Sequence, residues 1–263
     1  SIFNTDRAAF EALWQDIKTF FEYACLNDRK FFDRVKDVYL FRLTDGSYAT
    51  VSEYLEKAKE KNDNRIYYTT DKQAQAQYVS LLTGQGIAVA ELERVIDTQF
   101  ITLLEQSNKD LKILRVDADL AQALKGEGKG KESKRLTKLF REVSGNKELR
   151  VSFEKLKDAA LPAILTVSEE SRRINDMMKM YNLQNGVDKD MYKPDYTLVL
   201  NSENAVVQKL SKMKASSTDA LIIAGQIFSL ATLSQRQFSA EELNRFLSGS
   251  YSLLEKLCPS MEE

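Results

Sequence analysis

The side chains best suited to chemistry are scarce in this chain and poorly spaced for it. Histidine is absent, which removes the commonest general base and the commonest transition-metal ligand together. Cys25 and Cys258 are the only thiols, too few for a zinc site, and their number suits a reducing compartment better than a disulfide framework. Gly84-Gln85-Gly86 opens like a dinucleotide-binding turn, but Val89 holds the third glycine position and the glycines precede a strand instead of following one. The glycine and lysine run at 125–131 is no phosphate loop: no glycine stands five residues before Gly130-Lys131, and no Ser or Thr follows the lysine. Asp188 and Asp190 form a carboxylate pair in a polar stretch, with nothing around them to bury one and separate their acidities. No catalytic, cofactor-binding or metal-ligating residue is assigned. With 38 basic against 39 acidic side chains, bulk charge does not steer the chain toward nucleic acid or an anionic membrane. It also has no apolar run of the eighteen or so residues needed to span one.

What remains is binding chemistry, and it concentrates in Ser168–Tyr192, which holds four of the six methionines. At 100° per residue, Ile174, Met177, Met178 and Tyr181 fall in a helical stripe about 100° wide, with Met180 on its edge and Arg172, Arg173, Asp176 and Lys179 off it. Ser168 is suited to cap this helix, Glu169 and Glu170 to sit at the positive end of its dipole, and Gly186 to stop it. Such a face can be ordinary core. It can also be an adaptable binding surface, because methionine is unbranched and polarizable and repacks against many apolar partners. Composition leaves both open.

The elements around it follow from periodicity. Phe10, Leu13, Trp14, Ile17, Phe21 and Ala24 recur at helical spacing over 5–27. Asp45-Gly46 marks a turn, and Ser52 is placed to cap the helix after it. Three short apolar runs, Ile66–Thr69, Ile87–Leu92 and Leu111–Val116, alternate with helical stretches at 71–83 and 97–106, the pattern of a small parallel sheet. Lys125–Lys134 contains three of the ten glycines and no apolar side chain, a linker by composition. Beyond it the pattern predicts a helix ended by Gly145, a strand through Leu149, Val151 and Phe153, strands at Leu161–Val167 and Tyr196–Leu200, and a helix over 202–213. The fold class is therefore α/β plus α+β: a small parallel-sheet α/β subdomain, then an α+β domain ending in a helix pair.

That final pair carries too much apolar surface for one packed face. Leu221, Ile222, Ile227 and Phe228 spread around the first helix, and Leu243, Phe246, Leu247, Tyr251 and Leu254 form a broad stripe on the second. If half a dozen of these side chains stay uncovered, at roughly 1.5 to 3 kcal/mol each, the cost is about 10 kcal/mol, comparable to a domain's whole stability. A homodimer through an intermolecular helix bundle removes it, with these nine residues as the interface.

Seven segments, in order along nearly the whole chain, resemble the heat shock protein 90 chaperones of the bacterial HtpG type. They are T-V-S-E-Y-L at 50–55, I-Y-Y-T-T at 66–70, G-I-A-V at 86–89, V-I-D-T-Q-F at 95–100, L-P-A-I-L at 161–165, S-R-R-I-N-D-M-M-K-M-Y at 171–181 and T-L-V-L-N at 197–201. Departures mark a divergent member: Thr98 stands in the usual I-D-E, Ala88 replaces an acidic residue, and Asn204-Ala205 replaces His-Pro. The resemblance implies that 1–124 is the later part of the middle domain, 125–134 a linker and 135–263 the C-terminal dimerisation domain, in a cytoplasmic protein. It further implies client contact through Phe100 and the face of Ile174, Met177, Met178, Met180 and Tyr181. The family's ATP- and Mg-dependent hydrolysis uses a nucleotide domain and an arginine loop without counterparts here, so the expected role is a non-enzymatic, dimerising, client-contacting piece of a longer ATP-dependent chaperone. The expected partners are a second copy and non-native proteins, with neither nucleic acid nor membrane. The tail Ser260-Met261-Glu262-Glu263 lacks the terminal Val-Asp by which eukaryotic members recruit cochaperones, and that partner is not carried over. Two alternatives stand beside this reading: a purely structural dimerisation module, and an α/β enzyme on the small sheet, which the missing histidine and phosphate loop disfavour.

Overall fold

The computed structural model describes residues 2–58, 64–118, 124–174, 178, 195–214 and 216–258. The chain is mixed α/β and divides into two compact units, 1–116 and 117–263.

The first unit opens with α1 (Ile2–Thr5) and the long α2 (Arg7–Asn27). Asp6 caps α2 by accepting from the Ala9 amide at 3.0 Å, satisfying one of the free N–H groups of the first turn. After α3 (Arg29–Val35), strands β1 (Phe41–Arg42) and β2 (Tyr48–Ala49) pair antiparallel across Asp45-Gly46, where Gly46 takes φ 89°. Helix α4 (Val51–Ala58) is capped by Thr50, two residues before the expected Ser52. The Glu53 amide donates to Thr50 Oγ1 and the Thr50 amide to Glu53 Oε2, a reciprocal box that T-x-x-E encodes directly. Strands β3 (Arg65–Thr69), β4 (Val89–Glu91) and β5 (Lys112–Arg115) form a parallel sheet in the order β4-β3-β5. Helices α5 (Ala76–Gly84) and α6 (Val95–Ser107) make the crossovers that parallel strands require.

In the second unit, β6 (Lys125–Lys129), β7 (Arg150–Leu156), β8 (Ala163–Val167) and β9 (Tyr196–Asn201) form one sheet in the order β6-β7-β9-β8. The strand at Lys125–Lys129 corrects the linker reading of that segment. It pairs antiparallel with β7 through an irregular register, and the glycines in and just after it answer backbone demands, a close approach at Gly130 and a left-handed angle at Gly128. A Cβ at Gly130 would lie 2.6 Å from the Phe153 carbonyl carbon, and Gly128 takes φ 79°.

Helix α7 (Lys134–Ser144) ends at Gly145, which adopts φ 66°. Helix α8 (Ala205–Lys212) is capped by Asn204, whose Oδ1 accepts from the Val206 and Val207 amides while its Nδ2 donates to the Ala159 and Ala160 carbonyls. The pair α9 (Thr218–Leu233) and α10 (Ala240–Leu257) closes the unit. Its core joins α7, α8 and α9 to the sheet through Leu139, Phe140, Leu198, Leu200, Leu210 and Ala224.

Candidate functional site

Phe100 lies at the centre of the first unit's aromatic core. Its ring stacks on Tyr39 at a centroid distance of 4.3 Å and meets Phe21 and Phe32 edge-on at 6.3 and 6.1 Å. It is 0% exposed, which corrects the expectation that it contacts a client: the α6 face bearing it is the face turned inward.

Beside it sits a buried ionisable cluster that apolar periodicity alone did not reveal. Lys18 Nζ lies 3.0 Å from Asp97 Oδ1 and 3.9 Å from Glu22 Oε1, and the Tyr39 hydroxyl donates to Glu22 Oε1 at 2.7 Å. Asp97 also holds the start of α6, accepting from the Arg94 amide at 3.0 Å. One cation faces two carboxyls, so charge balances when one is neutral. Burial drives the Glu22 carboxyl up; Lys18 opposes this and Asp97 reinforces it, leaving it at about 8. Burial and the nearby Glu22 raise the Cys25 thiol to about 12, which makes it an inert core thiol at neutral pH. The signal was present in the sequence: Lys18 lies at helical spacing between Trp14 and Phe21.

The methionine helix is described at 169–174 and at Met178. Ser168 caps it as expected, its Oγ accepting from the Ser171 amide at 3.1 Å. Arg172 and Arg173 both hydrogen-bond Glu169. Burial pushes the Glu169 carboxyl up, but these bonds and charges outweigh it and hold it below the ordinary range. Arg172 is buried, unlike its expected place off the apolar stripe, because its charge is matched within its own helical turn. The Asp195 amide donates to Ser171 Oγ at 3.0 Å. Ile174 is exposed and Met178 half-buried. Met177, Met180 and Tyr181 lie outside the described residues, as does Gly186.

The helix pair divides sharply. On α9, Ala220, Ala224, Ile227 and Ala231 enter the core. This corrects the assignment of Ile227 to an interface, since at 4% exposure it is already covered within its own unit. Leu221, Ile222 and Phe228 are half-buried and line a groove of about 310 Å³ with Val143, Phe238 and Gly249. No side chain of α10 is buried. Leu243, Leu247, Tyr251, Leu254 and Leu257 are exposed, and Phe246 is half-buried beside Phe238, their rings 5.6 Å apart.

The start of α10 is nevertheless firmly made. Ser239 caps it, Glu242 returns a bond to the Ser239 amide, and Arg236 pairs with Glu242 at 2.6 Å. The Arg236 hydrogen bond, opposed by partial burial, pulls the Glu242 carboxyl down to about 2. An ordered helix thus presents an uncovered apolar face. Among the described residues no cluster of side chains suited to holding a metal ion occurs, and no helix is long and apolar enough to cross a membrane.

A family model described as Hsp90 protein matches residues 2–261. The chain belongs to the Hsp90 family. Among relatives of this Hsp90-family chain, the chaperone protein HtpG of Porphyromonas gingivalis strain ATCC 33277 is 32% identical over 234 residues, covering 83% of this chain and 34% of the relative. The chaperone protein HtpG of Bacteroides thetaiotaomicron is 30% identical over 226 residues, covering 80% and 33%. That of Bacteroides fragilis strain YCH46 is 31% identical over 226 residues, with the same coverage. This Hsp90-family chain therefore spans about one third of the length of the curated relatives it matches.

Proposed function

We propose that this chain is the self-associating, client-contacting portion of a chaperone, with α9 and α10 joining two copies and the helix that starts at Glu169 facing non-native proteins. The observation that carries the first part is α10, a capped helix of 18 residues with no buried side chain and five large apolar ones exposed. Exposed apolar patches of this kind mark interaction sites. A second copy supplies the same surface, as two-fold packing requires. Family membership and relatives named as chaperones support the client role. The client set is Ile174, Met177, Met178, Met180 and Tyr181, without Phe100. In this reading the middle-domain part ends near Val116, the chain acts in the cytoplasm, and ATP and Mg²⁺ belong to a longer parent, with no hydrolysis by these residues.

Sedimentation of a chain truncated before Ser239, which removes α10 and leaves the core contributed by α9, tests the interface: a monomer is expected, and a stable dimer refutes the assignment to α10. Binding of a partly folded protein to the triple variant Met177→Ser, Met178→Ser, Tyr181→Ser tests the client face. Weakened binding by a still-folded dimer is expected; unchanged affinity leaves a structural dimerisation module.

A further inference from the structure

Between α9 and α10, a polar clasp interrupts a largely apolar junction. Gln226 is half-buried on the most apolar helix of the chain. Its Nε2 donates to the Phe246 carbonyl at 3.0 Å and its Oε1 accepts from the Ser250 hydroxyl at 3.0 Å. The Ser250 hydroxyl has a second acceptor, the Phe246 carbonyl, at 2.8 Å. Gly249 makes the approach possible, because a Cβ there would fall 2.5 Å from Gln226 Nε2. Gln226, Gly225 and Gly249 all line the groove of about 310 Å³.

Apolar contact is non-directional. A slide of α10 by one turn, about 5.4 Å, would exchange one exposed leucine for another at little cost in buried area. The same slide would part the half-buried Gln226 amide from the Phe246 carbonyl and the Ser250 hydroxyl and leave both bonds unmade in a groove where water replaces them only in part. One buried polar side chain fixes register between coiled-coil helices in this way. A second polar link between the two helices, Lys256 with Asp219, is solvent-exposed at the far end and carries little direction.

We infer that Gln226 is a positioning residue: clasped to Phe246 and Ser250 over Gly249, it sets the register of α9 against α10 and thereby the single geometry in which the pair meets a second copy of this chain. This rests on the self-association proposed above. Gln226 does not hold the two copies together; it determines how they are arranged.

The test is the distribution of distances between spin labels on the two copies, placed at exposed Ser248 (Ser248→Cys) with Cys258→Ser removing the exposed native thiol; Cys25 is buried. With Gln226 intact, one narrow distribution is expected. Gln226→Met, close in size but without the hydrogen bonds, should broaden or split it while helical content stays unchanged. A distribution as narrow as that of the parent, at the same distance, overturns the inference. If Gln226→Met loses helical content, Gly249→Ala decides instead, since it keeps the glutamine and displaces its amide: broadening supports the clasp and an unchanged distribution refutes it. A parent that sediments as a monomer and gives no distance between copies refutes the self-association itself, an outcome distinct from failure of the clasp alone.

Discussion

The aromatic core of the first unit and helix α10 treat apolar surface in opposite ways. Tyr39, Phe100, Phe32 and Phe41 are fully buried, and even Lys18, Glu22 and Asp97 are enclosed with them. On α10 no side chain is enclosed, although the helix is capped as well as any in the chain. The aromatic core is covered by the first unit's own residues, although α2 leaves Leu13, Ile17, Phe20 and Tyr23 exposed, whereas α10 buries no side chain at all. Secondary structure and capping can be complete where packing is not, and such an element points to a partner.

The contrast is sharpened most by removing the centre of the complete core. Phe100→Ala should cost about 3–5 kcal/mol of first-unit stability, the loss expected for emptying a packed aromatic site. Denaturant unfolding reads it, and a loss below about 1 kcal/mol would mean that the ring is not enclosed.

The enclosed charges give a pH signature. Glu22 binds its proton more tightly folded than unfolded, so the stability it contributes is fully present below the ordinary carboxylate value and is lost as pH rises through about 8. Melting temperature measured from about pH 5 to about pH 9 should therefore fall more steeply in the wild type than in Glu22→Gln, which stays neutral throughout. Parallel profiles would contradict a neutral Glu22. A smaller effect belongs to the second unit's sheet edge. Gly130→Ala should cost about 1–3 kcal/mol, because the added methyl meets the β7 backbone and not a side chain that can move. A neutral outcome in urea unfolding would show that β6 is as loose as its composition suggests.

Much of this organisation was legible in the sequence, and the exceptions have physical causes. Ile66–Thr69, Ile87–Leu92 and Leu111–Val116 read as parallel strands because buried strands are short apolar runs; β4 and β5 lie inside the second and third, and β3 starts one residue before the first. Gly145 was readable as a helix stop because few residues tolerate its backbone angle. Lys125–Lys129 was misread because glycine and lysine signal solvated chain, while pairing to β7 depends on backbone hydrogen bonds that composition does not carry. Phe100 was placed outward by the family resemblance and Ile227 by the apolar spread of its helix, and both turned inward. An apolar residue on a helix announces that it will be covered, but not whether its own unit or another does the covering. Lys18 and Glu22 went unread because charge at helical spacing is normally taken for the solvated face, and here Asp97 and Tyr39 on other elements enclose it. The methionine stripe kept both of its readings for that reason too, since Ile174 is exposed and Met178 half-buried.

Sedimentation equilibrium of the wild-type chain beside Leu247→Asp, Leu254→Asp tests the central claim most directly. The wild type should be a dimer. The double variant should dissociate at least about a hundredfold more readily with unchanged helical content, since two apolar side chains at roughly 1.5 kcal/mol or more each are lost from the interface. A wild-type monomer, or a double variant that dimerises as tightly as the wild type, would contradict the account.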